Sequence, residues 1–168
     1  NEITSTEIDN YLAETAAALT VEHPDYSYLA ARIKANALHK ETHGFLITTK
    51  NLFEDGLLKE EYYDKVINNS DAIESIIDYD RDYHFDYFAL TTLARAYLLK
   101  FKNKIAERPQ DLWMRVALTV SCDEFNLEKV KNTYDSLSSG FYTHATPTLF
   151  NSGLKMQQLS SCFLISME

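Results

Sequence analysis

The chain has 168 residues, of which 45% are hydrophobic and 24% charged, the profile of a folded core rather than of a disordered segment. Its 25 acidic and 16 basic residues leave a formal charge of −9, a field that disfavours nonspecific binding to nucleic acid. No run of about 18 apolar residues is present, so no membrane-spanning helix is expected. Two cysteines, Cys122 and Cys162, are too few for a disulfide framework and show no zinc spacing. The start, Asn1-Glu2-Ile3-Thr4, has no basic and apolar leader, and both ends read as cuts within a longer polypeptide.

Thr4 and Glu7 have the spacing of a capping box. Ile8, Leu12, Ala16 and Leu19 follow at helical spacing, so a first helix is expected to run to about Thr20. His23-Pro24 breaks it, and Asp25 can cap a second helix with Leu29, Ile33 and Ala37 on its apolar face and Gly44 as its stop. Residues 45–70 are less regular and read as one or two short helices, with another from about Ser70 to Ile77. Tyr79 to Tyr83 reads as a turn, and Phe85 to Arg95 as a helix. A small hairpin is expected around Lys102-Asn103-Lys104, although its turn lacks Gly. Pro109 suits the first turn of a helix carrying Leu112, Trp113, Val116 and Val120. Asn126 to Leu137 forms a further helix, stopped by Ser138-Ser139-Gly140. Phe141 to Gly153 reads as an ordered loop, and Leu159 to Met167 has the length of a buried strand. A mainly α-helical body leading into a β-containing region is the result.

Several residues could carry chemistry. Cys162 is either a small core residue or a redox thiol at a strand end, with Ser160 and Ser161 as donors to an anion. The loop Thr143 to Asn151 is either an ordinary proline turn or a close approach of backbone to phosphate. Cys122 reads as structural. His39 and His43, at i and i+4, could hold a metal but lack a further ligand at suitable spacing, so solvated surface is the expectation; His84 stands apart. Asp78, Asp80, Asp82 and Asp86 lack the Gly and terminal Glu of a calcium loop and read as a capped, solvated turn.

Taken together, FYTHATPTLFNSG and QLSSCFLISM resemble the large catalytic subunit of class I ribonucleotide reductase, in its eukaryotic form. AETAAALTVEHPDYSYLAARI, LHKET, IIDYDRDYHFDYF and YLLKFKNKIAERPQDLWMRVAL agree in order, so the likeness covers nearly the whole chain. Lys155-Met156-Gln157 departs from the Arg-Pro found before QLSSC in many relatives.

The resemblance implies a fragment in three parts: residues 1–43 from the C-terminal part of an ATP-cone, 44–157 as a helical N-terminal domain, and 158–168 as the first strand of the catalytic α/β barrel. It implies reduction of ribonucleoside diphosphates by thiyl-radical chemistry, with Cys162 as one of a redox-active cysteine pair. Thr146 and Ser161 would contact substrate. Ser5, Asp9 and Lys40 would contact the allosteric nucleotide, ATP or dATP. No cofactor is implied in this chain; a radical metallocofactor would reside in a smaller partner subunit. A homodimer or higher oligomer, a thioredoxin or glutaredoxin reductant and a cytoplasmic location are also implied. The fragment alone would be inactive, since the radical cysteine and the second redox cysteine would lie elsewhere. The alternative is a non-catalytic helical regulatory or interaction module of the same ancestry.

Overall fold

A computed structural model describes residues 3–121 and 124–165. The chain is mainly helical, as its periodicity and the family resemblance both implied. α1 (Ser5–Ala18) opens with the expected capping box: the Thr4 hydroxyl accepts from Glu7 N–H, and the Glu7 carboxylate accepts from Thr4 N–H at 2.8 Å. After a short 3-10 turn, α2 (Asp25–Glu41) runs back against α1.

The contact between α1 and α2 differs from the apolar stripes expected of them. Ala13 and Ala16 of α1 and Ala30, Ala31 and Ala35 of α2 are buried, whereas Ile8, Leu12 and Leu29 are each close to half exposed. Small side chains let two helix backbones approach closely, and the larger ones are then left outside the seam. Gly44 does not end α2, which stops at Glu41; it is the N-cap of α3 (Phe45–Glu54).

α4 (Glu60–Asn68) and α5 (Ser70–Glu74) follow, then a 3-10 turn, Tyr79–His84. α6 (Tyr87–Thr92) is capped by the Asp86 carboxylate, which accepts from Ala89 N–H. The helix then widens into a π turn, Leu93–Tyr97, closed by Leu98 N–H donating to Leu93 O. β1 (Lys100–Phe101) and β2 (Lys104–Ile105) form the expected hairpin. Without glycine, its turn places Lys102 and Asn103 at φ 47° and 66°, the left-handed region that asparagine tolerates better than lysine.

α7 (Pro109–Val120) passes through the middle of the body, and every residue from Pro109 to Leu118 is buried. Proline at the first position and Asp111 at the third start it, with the Asp111 carboxylate accepting from Arg108 N–H at 2.9 Å. Leu112, Met114, Val116 and Leu118 pack into the core that α3, α4, α6 and α8 (Leu127–Ser138) close. α8 starts at its Asn126 cap and ends in Gly140 at φ +74°, with Phe141 N–H returning to Ser136 O.

Because α7 is buried all round, its polar residues need partners inside the protein. Gln110 sits at the centre of a chain of hydrogen bonds. Its Nε2 donates to Asp82 at 3.1 Å, and its Oε1 accepts from the hydroxyls of Tyr134 and Ser138 at 2.8 and 2.6 Å. Asp82 in turn bonds His39 Nε2 at 2.7 Å. His39 is therefore neither the surface residue nor the metal ligand weighed from its sequence spacing. His43 falls beyond the end of α2, so the two do not share a helix. Asp82, buried, likewise leaves the solvated turn expected for the aspartate cluster, while Asp78 and Asp86 do serve as caps.

Asp111 makes stability depend on pH. Burial pushes its carboxyl up to about 7, against the opposing effect of the hydrogen bonds from Arg108 N–H and the Tyr79 hydroxyl. With its folded pKa above the ordinary carboxylate value, the folded state holds the proton more tightly than the unfolded state. The stability it lends at low pH is lost as pH rises through about 7. Asp111→Asn removes that dependence. The stability of wild type relative to the variant should fall by about 2–4 kcal/mol between pH 4.5 and 7.5 in urea titrations. A constant difference over that range would contradict it.

Phe141 to Gly153 is not loop throughout. It contains α9 (Thr146–Asn151), a helix too short to stand out by periodicity. No ladder forms over residues 159–165, and 160–165 are exposed, unlike the buried strand expected there; the last residues of that expectation lie outside the described residues. A strand needs a neighbour to pair its backbone groups, and the described residues place none beside this segment. No helix among the described residues is long and apolar enough to cross a membrane.

Candidate active-site segment

α9 is anchored at both ends. At its C-terminal end, Arg115 Nη2 and Nη1 donate to the carbonyls of Leu149 and Ser152 at 3.2 and 2.8 Å, groups that a helix terminus leaves unpaired. The same guanidinium is held by Glu107 in a two-point ion pair, Nε to Oε1 at 2.5 Å and Nη2 to Oε2 at 3.1 Å, with both side chains buried. Glu107 also accepts from Leu99 N–H, which joins the hairpin to the same cluster.

Beyond α9 the chain crosses to the α3–α4 connection. Lys59 N–H donates to Gly153 O and Lys155 N–H to Leu57 O. Gly153 is required here. Its φ is +75°, and an added Cβ would come within 3.1 Å of the Tyr62 ring. The chain then returns along α9, where Thr148 Oγ1 donates to Leu159 O at 3.1 Å and Asn151 Nδ2 to Gln158 O at 2.8 Å. These contacts fasten the Gln158-Leu159-Ser160-Ser161-Cys162 segment to the helix that begins at Thr146.

Thr146 is exposed at the start of α9, and its hydroxyl meets the Tyr97 hydroxyl at 3.3 Å. Ser161 and Cys162 are also exposed, with Ser161 Oγ and Cys162 Sγ 3.8 Å apart. The thiol is therefore not packed in a core, as one reading of its sequence context had it. Three residues singled out from sequence thus lie on one braced unit, two on the returning segment and one on α9. Cys122 lies outside the described residues.

The second set is at the other end of the chain. Lys40 Nζ bonds the Asp9 carboxylate at 2.5 Å, which joins α2 to α1. Ser5, one turn before Asp9 and thus on the same helix face, is exposed. Sequence reasoning did not identify Arg115, Glu107 or Tyr97. Glu107 and Arg115 stand at the two ends of ERPQDLWMR, and the all-round burial of α7 reveals their roles. Among the described residues, no group of His, Cys, Asp and Glu is arranged to hold a metal ion.

Residues 83–157 match the family model described as "Ribonucleotide reductase, all-alpha domain", the part of the chain that holds α7 and positions the thiol segment. Over 99% of its length the chain is 44% identical to a ribonucleoside-diphosphate reductase large subunit of Dictyostelium discoideum. It is 42% identical to the large chain of Schizosaccharomyces pombe and to the large subunit of Arabidopsis thaliana, again over 99% of its length. Residues 83–157 thus carry the all-alpha domain of ribonucleotide reductase, and the chain as a whole matches an N-terminal fragment of the eukaryotic large subunits. It spans about a fifth of the length of these relatives, 20–22%.

Proposed function

We propose that the chain is part of the large subunit of an enzyme that reduces ribonucleoside diphosphates to 2′-deoxyribonucleoside diphosphates for DNA precursor synthesis. The observation that carries this reading is the exposed thiol of Cys162, fastened through Thr148 and Asn151 to the helix that presents the Thr146 hydroxyl. A thiol and two hydroxyls on one rigid unit suit a ligand with a reducible sugar and an anionic tail.

In the overall reaction, one ribonucleoside diphosphate and two thiols give one deoxyribonucleoside diphosphate, one disulfide and one water. A thiyl radical on a residue elsewhere in the full-length polypeptide takes the 3′ hydrogen and later returns it. Cys162 and a second cysteine supply the proton for the departing 2′ hydroxyl and the two electrons, and they end as a disulfide. A thioredoxin or glutaredoxin restores the dithiol. Thr146 and Ser161 bind substrate, with Thr146 at the diphosphate. The radical originates in a metallocofactor of a smaller partner subunit, and the large subunit is at least a homodimer in the cytoplasm. Residues 158–168 become the first strand of the barrel when paired within the whole enzyme.

Ser5, Asp9 and Lys40 form part of a site for ATP or dATP. The Asp9–Lys40 contact supports this reading, because a lysine held over an acid on one helix pair can exchange that acid for a phosphate. The alternative, a non-catalytic module, leaves the exposed thiol without a use.

The test is thiol accounting in the full-length protein with its small subunit. After a single turnover without reductant, peptide mapping should find Cys162 in a disulfide with a distant cysteine. A Cys162 that stays free while deoxynucleotide forms would exclude the assignment.

A further inference from the structure

We propose that Tyr97 is a positioning residue that holds the Thr146 hydroxyl in place for the substrate diphosphate; this rests on the reading of Thr146 as a diphosphate contact. The hydroxyls of Tyr97 and Thr146 meet at 3.3 Å. The Tyr97 ring lies against Phe150, with centroids 4.9 Å apart. Phe150 is four residues after Thr146 and so on the same face of α9. One side chain therefore touches α9 at both ends of that face, by its ring at one and its hydroxyl at the other.

Tyr97 reaches this position because the helix before it changes pitch. The π turn Leu93–Tyr97 inserts one residue into the helical spacing, and Leu98 N–H closes it five residues back on Leu93 O. In an uninterrupted α-helix, residue 97 would be rotated about 100° from its present direction. Such single π turns carry a cost in helix geometry and concentrate where a side chain must be re-aimed for function. Re-aiming Tyr97 onto α9 is what this one does.

A threonine hydroxyl is free to rotate, and a hydrogen bond shared with a neighbouring phenol restricts it. Thr146 is exposed, and among the described residues the Tyr97 hydroxyl is the side-chain hydrogen-bond partner of its own hydroxyl. Tyr97 thus sets where the Thr146 hydroxyl points before substrate arrives, and pre-setting a binding group raises affinity by lowering the ordering cost of binding.

The test uses the full-length large subunit with its small subunit, and CDP as the probe. Tyr97→Phe keeps the ring against Phe150 and deletes only the hydroxyl. Its KM for CDP should rise about threefold to tenfold, the size of one hydrogen bond, with kcat unchanged. Thr146→Val should raise KM at least as much, and the double variant should be no worse than Thr146→Val alone. A merely structural role for Tyr97 would not separate KM from kcat in this way. If Thr146→Val raises KM and Tyr97→Phe does not, or if the two effects add independently, the positioning role fails while the diphosphate contact stands. If Thr146→Val leaves KM unchanged, the diphosphate reading itself fails, and this inference with it.

Discussion

Cys162→Ser in the full-length enzyme should abolish turnover with a dithiol reductant and leave the fold intact. The second half follows from position. Cys162 is exposed, and its segment is held by Thr148 and Asn151 bonding the carbonyls of Leu159 and Gln158, none of which involves the sulfur. An isosteric change at such a site alters stability by about 0.5 kcal/mol or less. The first half follows from chemistry. Replacing the 2′ hydroxyl by hydrogen, with loss of water, requires two protons and two electrons, which the two thiols of the proposed pair supply. A serine hydroxyl cannot become half of the disulfide whose formation releases those electrons. Circular dichroism of the variant should match wild type, while deoxynucleotide formation should fall to background. Turnover like that of wild type would sink the assignment of Cys162 to the redox pair.

Arg115→Met should cost the chain about 3–5 kcal/mol in urea unfolding. The substitution leaves the buried Glu107 carboxylate with only the Leu99 N–H and strips the partners from the carbonyls of Leu149 and Ser152. Methionine fills much of the arginine volume, so the loss comes from unpaired polar groups rather than from a cavity. A double variant, Arg115→Met with Glu107→Leu, removes the stranded charge and should recover part of the loss. A cost under about 1 kcal/mol for the single variant would mean that the pair gives no net support to α7 and α9.

Much of the fold was legible because local rules decided it. The Thr4–Glu7 capping box, the proline start at Pro109, the Asn126 start of α8 and the stop at Gly140 each rest on a few adjacent residues. What sequence did not disclose depends on tertiary packing. Ile8 and Leu12 have helical spacing, but Ala13 and Ala16, further along α1, form the seam with α2. His39 and Asp82 are 43 residues apart, and nothing in either neighbourhood announces the other. The segment after Leu159 has the composition of a strand, but composition supplies no pairing partner. The site residues Thr146, Ser161 and Cys162 came from a motif resemblance, and the geometry adds the brace that joins them. Tyr97, Arg115 and Glu107 lie in a stretch that shares the resemblance but assigns them no role, and their roles are visible through what they touch.

The hydrogen bonds through Gln110 have a direction. Asp78 N–H donates to the Tyr134 oxygen, whose own proton goes to Gln110 Oε1, and Gln110 Nε2 donates onward to Asp82. With each bond fixed by the one before it, the amide of Gln110 has one admissible orientation, oxygen toward α8 and nitrogen toward Asp82. The carboxyl of Asp82 is where this string of aligned dipoles terminates. From the other side, His39 contributes its Nε2 to the same group. The joint between α2 and the helical body therefore has an electrical polarity as well as a shape. A residue of similar volume that reversed one donor, as glutamate would at position 110, would set acceptor against acceptor along the string.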